Sequence, residues 1–141
     1  MKPKRGFLRW YLFLTLAFGM LGLLDSLATF FDVVNNVYVY VVVILSIFFF
    51  LYNILVIPIF HAHHVERIAY VLPIYHLFSF LLFFGFGLLT TSARLLFDWL
   101  WMVVVGAGFL SAIFEIVFSA YLMKKLDLFH LTSSESQVAI L

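Results

Sequence analysis

The sequence predicts an all-α integral membrane protein: an up-down bundle of four transmembrane helices with both termini cytoplasmic. Three observations lead there. Of the 141 residues, 66% are hydrophobic and 11% charged, with a mean hydropathy of +1.17, far from the balance of a soluble domain. Four apolar stretches, about 7–31, 37–60, 68–89 and 97–123, each reach the roughly 20 residues a helix needs to cross the hydrocarbon core. Seven of the eight Lys and Arg residues fall on one side of this arrangement: Lys2, Lys4, Arg5, Arg9, Arg67, Lys124 and Lys125, with only Arg94 on the other. The positive-inside rule then places both termini and the turn between spans two and three in the cytoplasm.

Span one follows the basic leader "MKPKR". Its apolar run exceeds the core of a signal peptide and shows no small-residue cleavage site, so it reads as a retained span. Trp10 with Tyr11 at its start, and Trp99 with Trp101 at the start of span four, suit the aromatic belts of the two membrane interfaces. The connections are short, which makes consecutive helices antiparallel neighbours. Residues 1–125 form a single four-helix domain, and residues 126–141 form a cytoplasmic C-terminal tail. The tail's Ser-rich middle suits a solvated end, and its closing "VAIL" weakly resembles peptide ends captured by carboxylate-binding domains.

The turn "HAHHVER" gathers His61, His63 and His64. Imidazoles at this spacing can converge on zinc or copper, with Glu66 as an oxygen ligand. They equally suit a polar turn at the headgroup level, which is the reading adopted. His63 and His76 stand thirteen residues apart, near the spacing at which one helix holds two haems. A bis-imidazole haem needs a second His at matching depth on another helix. Spans one, two and four carry none, so such a cofactor would require a ligand from a partner subunit. No resident cofactor is expected, and zero cysteines exclude disulfides and thiolate metal sites.

Ionisable groups inside a bilayer are costly and ask for partners. At about 1.5 Å per residue, Thr15, Asn53, His76 and Glu115 all lie roughly 9–14 Å from the cytoplasmic ends of their spans. They form a buried polar layer to which every helix contributes. In span four, Gly108, Ser111, Glu115 and Ser119 share one side, and in span one so do Thr15, Gly19, Gly22 and Ser26. Stripes of small residues let membrane helices approach closely, so the two should face each other, with Glu115 and His76 meeting inside the bundle. Two roles suit this layer: hydrogen bonds that pin helix register, or a proton relay, ion site or polar anchor for a small molecule. Near the opposite surface, Asp25 and Arg94 are expected to form an external charge clasp.

Four spans in a chain of this length, with both termini inside, resemble the general plan of MARVEL-type tetraspan proteins. The likeness is one of topology over residues 7–125 and rests on no motif. Tetraspanins and claudins differ by their cysteines and long outer loops. Small multidrug transporters share a membrane Glu, but theirs is similar only in kind.

No nucleophile with its base, phosphate loop or metal quartet can be assembled from the sequence. Clustered cationic residues for nucleic acid are also missing. The expectation is therefore a non-enzymatic membrane protein acting by helix packing, as a subunit or organiser of a larger membrane complex or by self-association. The alternative is a small transporter or proton-conducting element using Glu115 and His76. A third is an electron-transfer subunit with a partner-supplied cofactor.

Overall fold

The computed structural model describes residues 5–33, 35–93 and 98–126, without the side chains of 86–93, 98 and 101. The described chain is all helical. It comprises α1 (Gly6–Phe30), α2 (Asn36–Ala62), a 3₁₀ turn (Arg67–Tyr70) leading into α3 (Val71–Ala93), and α4 (Asp98–Lys125). All four helices are long and apolar enough to cross a membrane. Their outward faces are apolar too: Leu24, Phe48, Leu55, Phe78, Leu110 and Val117 are all exposed.

Local chemistry sets the helix ends. Both α1 and α2 stop in the same hydrogen-bonded motif, in which one residue turns left-handed so that the last carbonyls find donors. At the end of α1, Asp32 (φ 55°) takes that position, with its N–H on the Thr29 carbonyl and the Val33 N–H on the Ala28 carbonyl. At the end of α2, His64 (φ 52°) does so, with its N–H on the His61 carbonyl and the Val65 N–H on the Phe60 carbonyl. Val65 and Phe60 are both buried in the core, the apolar contact that accompanies this stop. The start of α2 is capped by Asn35, whose side chain accepts from the Tyr38 N–H at 2.8 Å.

The short connections suggest that consecutive helices pack side by side. The consecutive pairs α2–α3 and α3–α4 do so, but the closest main-chain packing is α1 with α4, and α1 stands off from α2. Residue size explains the difference. Where α1 meets α4, glycines and hydroxyls oppose one another. A Cβ added to Gly22 would touch Ala112 Cβ at 3.5 Å, and one on Gly108 would lie 3.3 Å from Ser26 Oγ. Thr15 and Ser119 hydroxyls sit 2.9 Å apart. Thr15, Gly19, Gly22 and Ser26 thus pair in turn with Ser119, Glu115, Ala112 and Gly108, an antiparallel seam in register. Between α1 and α2 stand large rings, with Phe18 stacked on Phe49 at 3.8 Å between centroids, and these hold the two helices apart.

Ser111 is not part of the seam, as the sequence stripe had it. Ala112 takes that place, and the Ser111 hydroxyl is hydrogen-bonded to that of Tyr75 on α3. Tyr11 is not an interfacial anchor either. It is fully buried, while its neighbour Trp10 is exposed, because successive helical residues point about 100° apart.

At the end of the bundle carrying the His turn, the helices close on a dry core that includes Leu8, Leu12, Val56, Phe60, Leu72 and Leu122. An electrostatic latch lies over it. The Arg5 guanidinium donates twice to Glu66 Oε1, at 2.9 and 2.5 Å, and once to the Leu126 carbonyl at 3.2 Å. The chain entering α1, the α2–α3 turn and the end of α4 are thereby tied together.

Candidate functional site

The far half of the bundle is hollow. A cavity of about 570 Å³ runs between the α1–α4 pair and the α2–α3 pair, from Glu115 and His76 at its floor to Asp25 near the far end. Seven residues of α4 separate Glu115 from Gly108, both in its wall, a depth of about 10 Å at 1.5 Å per residue. Six phenylalanines, one on α1, two on α2 and three on α3, supply much of the lining. Ser26, Ser46, Ser79 and Ser111 add hydroxyls.

His76 (8% exposed) and Glu115 (9% exposed) are buried at the floor, with His76 Nε2 and Glu115 Oε1 3.3 Å apart. That separation suits an ion pair, and neither atom makes a hydrogen bond. The geometry is that of a polar pair held together by packing. The edge of the Phe49 ring lies on the His76 imidazole, with centroids 4.8 Å apart, and Gly19 lets α1 close to the Glu115 stem. A buried polar atom left unpaired is costly. The two atoms are enclosed against each other, while the residues that carry them line the cavity floor.

The other members of the polar layer are satisfied internally. Asn53 Oδ1 accepts from the Tyr11 hydroxyl at 2.5 Å, and its amide donates to the Phe49 carbonyl at 2.8 Å. The Thr15 hydroxyl donates to the Leu12 carbonyl at 2.9 Å, so across the seam it accepts from Ser119. The sequence placed Asn53 in one network with His76 and Glu115. The structure divides the layer into a closed tier of Tyr11, Asn53, Thr15 and Ser119, and an open pair above it. No chain comparison adds to this geometry. Neither a protein-family model, nor a curated protein, nor a solved structure matches the chain.

At the far end, Asp25 Oδ1 accepts from the Tyr38 hydroxyl at 2.8 Å. Its expected partner Arg94 lies outside the described residues, as does the C-terminal tail beyond residue 126. Tyr38 is a partner that sequence reasoning missed, although it stands only thirteen positions along the chain, across the turn.

At the opposite end, His61 and His64 are exposed on the surface, and His63 sets its ring edge-on to Phe7 at 6.0 Å. Among the described residues, no three His, Cys, Asp or Glu side chains are grouped to hold a metal ion. Glu66, considered as a ligand, is engaged by Arg5.

Proposed function

We propose that this chain is a multi-pass membrane protein of the transport type, with both termini in the cytoplasm, whose working group is Glu115 with His76 beside it. The supporting observation is the unpartnered Glu115–His76 pair at the floor of the cavity. A structural pin has its hydrogen bonds made, as Asn53 does, whereas this pair has contact without them, in residues that line the cavity. The role of packing subunit is less well supported. The small-residue stripes that favour it are engaged between α1 and α4 within the chain, so they are not what a partner would grip.

With the termini inside, the cavity faces the outer half of the membrane. The tier of Tyr11, Asn53, Thr15 and Ser119 and the apolar core beneath it separate Glu115 from the cytoplasm. Passage therefore requires that seal to part. The α1–α4 seam is too close-packed to open cheaply, so movement belongs to the α2–α3 pair. Glu115 carries the proton or the ligand's polar group, and His76, 3.3 Å away, is the polar neighbour that either state meets.

Dicyclohexylcarbodiimide, an apolar reagent that adds to protonated carboxyl groups within membranes, tests this reading. In native membranes it should modify Glu115, located by mass spectrometry of the digested chain, and the modification should vanish in Glu115→Gln. A folded protein whose Glu115 resists the reagent would mark a sealed structural contact, and the transport reading would fail.

A further inference from the structure

The lining of the cavity is specific about what it accepts. Besides His76, the ionisable groups among the described lining residues are both acidic, Glu115 at the floor and Asp25 near the far end, with neither Lys nor Arg. Along α1, Gly19 opposes Glu115 and Asp25 lies six residues further, so the two carboxyls are about 9 Å apart along the axis. Between them the walls are phenylalanine, including Phe18, Phe80 and Phe83. Aromatic faces attract cations and repel anions through the ring quadrupole. The volume is that of a drug-sized molecule.

From this charge and shape we propose that the cavity binds an apolar organic cation, a delocalised or alkylated ammonium or phosphonium, whose charge displaces the proton of Glu115. The proposal rests on the transport reading above and supplies its substrate class. The exchange is balanced: neutral Glu115 and a cation give a carboxylate–cation pair and one proton released to the medium. The titratable groups around Glu115 are His76 on α3, Tyr11 on α1 and, beside Tyr11, Tyr52 on α2, with Asp25 across the cavity. A bound cation next to His76 opposes a second positive charge there, so the proton leaves the site instead of resting on the imidazole. Asp25, already accepting from Tyr38, draws the cation in from the far end.

The test uses the full chain in detergent or nanodiscs with two probes of one shape and opposite charge, tetraphenylphosphonium and tetraphenylborate. The phosphonium should bind saturably, release about one proton per cation into weakly buffered medium, and protect Glu115 from the carbodiimide. Glu115→Gln should weaken its binding about tenfold or more, while Asp32→Asn, a carboxylate outside the cavity, should not. Phe80→Leu, which keeps Glu115, should weaken binding severalfold. Equal binding of borate and phosphonium, or phosphonium binding without proton release, would overturn the proposal. So would failure of the phosphonium to bind a protein whose Glu115 still reacts with the carbodiimide, which would leave the transport reading intact. Failure of both assays would remove both.

Discussion

Gly19 is the tightest point of the α1–α4 seam, and its replacement by alanine measures how rigid that seam is. A Cβ there would lie 2.8 Å from Ile116 Cγ1, 3.3 Å from the Ile116 main-chain nitrogen and 3.4 Å from Glu115 Cγ. Ile116 is β-branched and nearly fixed in χ1 within a helix, and its main-chain nitrogen retreats only if α4 moves. Overpacking of this kind costs about 1–3 kcal/mol. Against it stands the gain of replacing glycine by alanine in a helix, about 1 kcal/mol. Gly106, on the same α4, has nothing within 4 Å of its added Cβ, so Gly106→Ala collects the gain alone. The difference between the two variants isolates the contact and should be about 1–3 kcal/mol in disfavour of Gly19→Ala. Gly22→Ala, which meets Ala112 at an ordinary 3.5 Å, should behave like Gly106→Ala. Reversible unfolding in mixed micelles, followed by circular dichroism, gives all three values on one scale. If Gly19→Ala proved as stable as Gly106→Ala, the seam would not be close-packed, and the assignment of motion to the α2–α3 pair would lose its basis.

Four more outcomes are expected. Arg5→Ala should lower stability by about 1 kcal/mol, with the loss shrinking as salt is raised and no further loss when Glu66→Ala is added; thermal unfolding at low and high salt measures both. Changing His61, His63 and His64 together to Asn should leave folding intact, and His64→Gly alone should raise stability by about 1 kcal/mol, since glycine adopts the left-handed conformation without strain; a stoichiometric metal lost from purified protein by the triple change would contradict this. Tyr11→Phe should cost about 1–2 kcal/mol by leaving buried Asn53 Oδ1 without its donor, part of it recovered by adding Asn53→Leu, as detergent melting curves would reveal. A glycan acceptor fused to either terminus should stay unmodified while one inserted between α1 and α2 is modified, the pattern set by the positive-inside distribution.

The helices were legible in the sequence because membrane spans announce themselves by length and hydropathy, and α1 to α4 fall within a few residues of the apolar runs. The meeting of His76 and Glu115 followed from depth together with the small-residue faces, whereas depth alone also placed Asn53 with them, which the structure pairs with Tyr11 instead. What was not legible depended on rotation about each helix axis. Small-residue spacing put Ser111 in the seam, but one position of helical rotation gives that place to Ala112 and turns Ser111 to Tyr75. Tyr11 beside Trp10 reads as an interfacial pair, yet the two point in different directions and only Trp10 faces outward. The left-handed turn at His64 was hidden because glycine or asparagine, the usual signals for it, is absent there. The latch joins Arg5 to Glu66, partners sixty-one positions apart, and no local pattern encodes a contact of that span.

The hollow arises from how the rings are spent. In the far half, Phe50 stacks on Phe80 at 4.5 Å and Phe80 on Phe84 at 5.6 Å, so these side chains satisfy one another along the α2–α3 pair. Flat rings engaged in this way leave space toward α1 and α4, where Gly22, Ser26, Gly108 and Ala112 are small and the bridging contacts include Phe18 on Phe49 and Ser111 with Tyr75. In the other half, Leu8, Leu12, Leu72 and Leu122 fill the equivalent space, and Arg5 binds three segments over them. One end of the bundle is therefore packed and latched, while the other is held open by aromatic contacts within α2–α3 and by Phe18 of α1 stacked on Phe49 of α2. Under the transport reading this asymmetry gives α2–α3 a pivot at the latched end and freedom at the open one. Glu115 and His76 sit at the boundary between the two regimes, where a small rotation of α3 alters the contact between them.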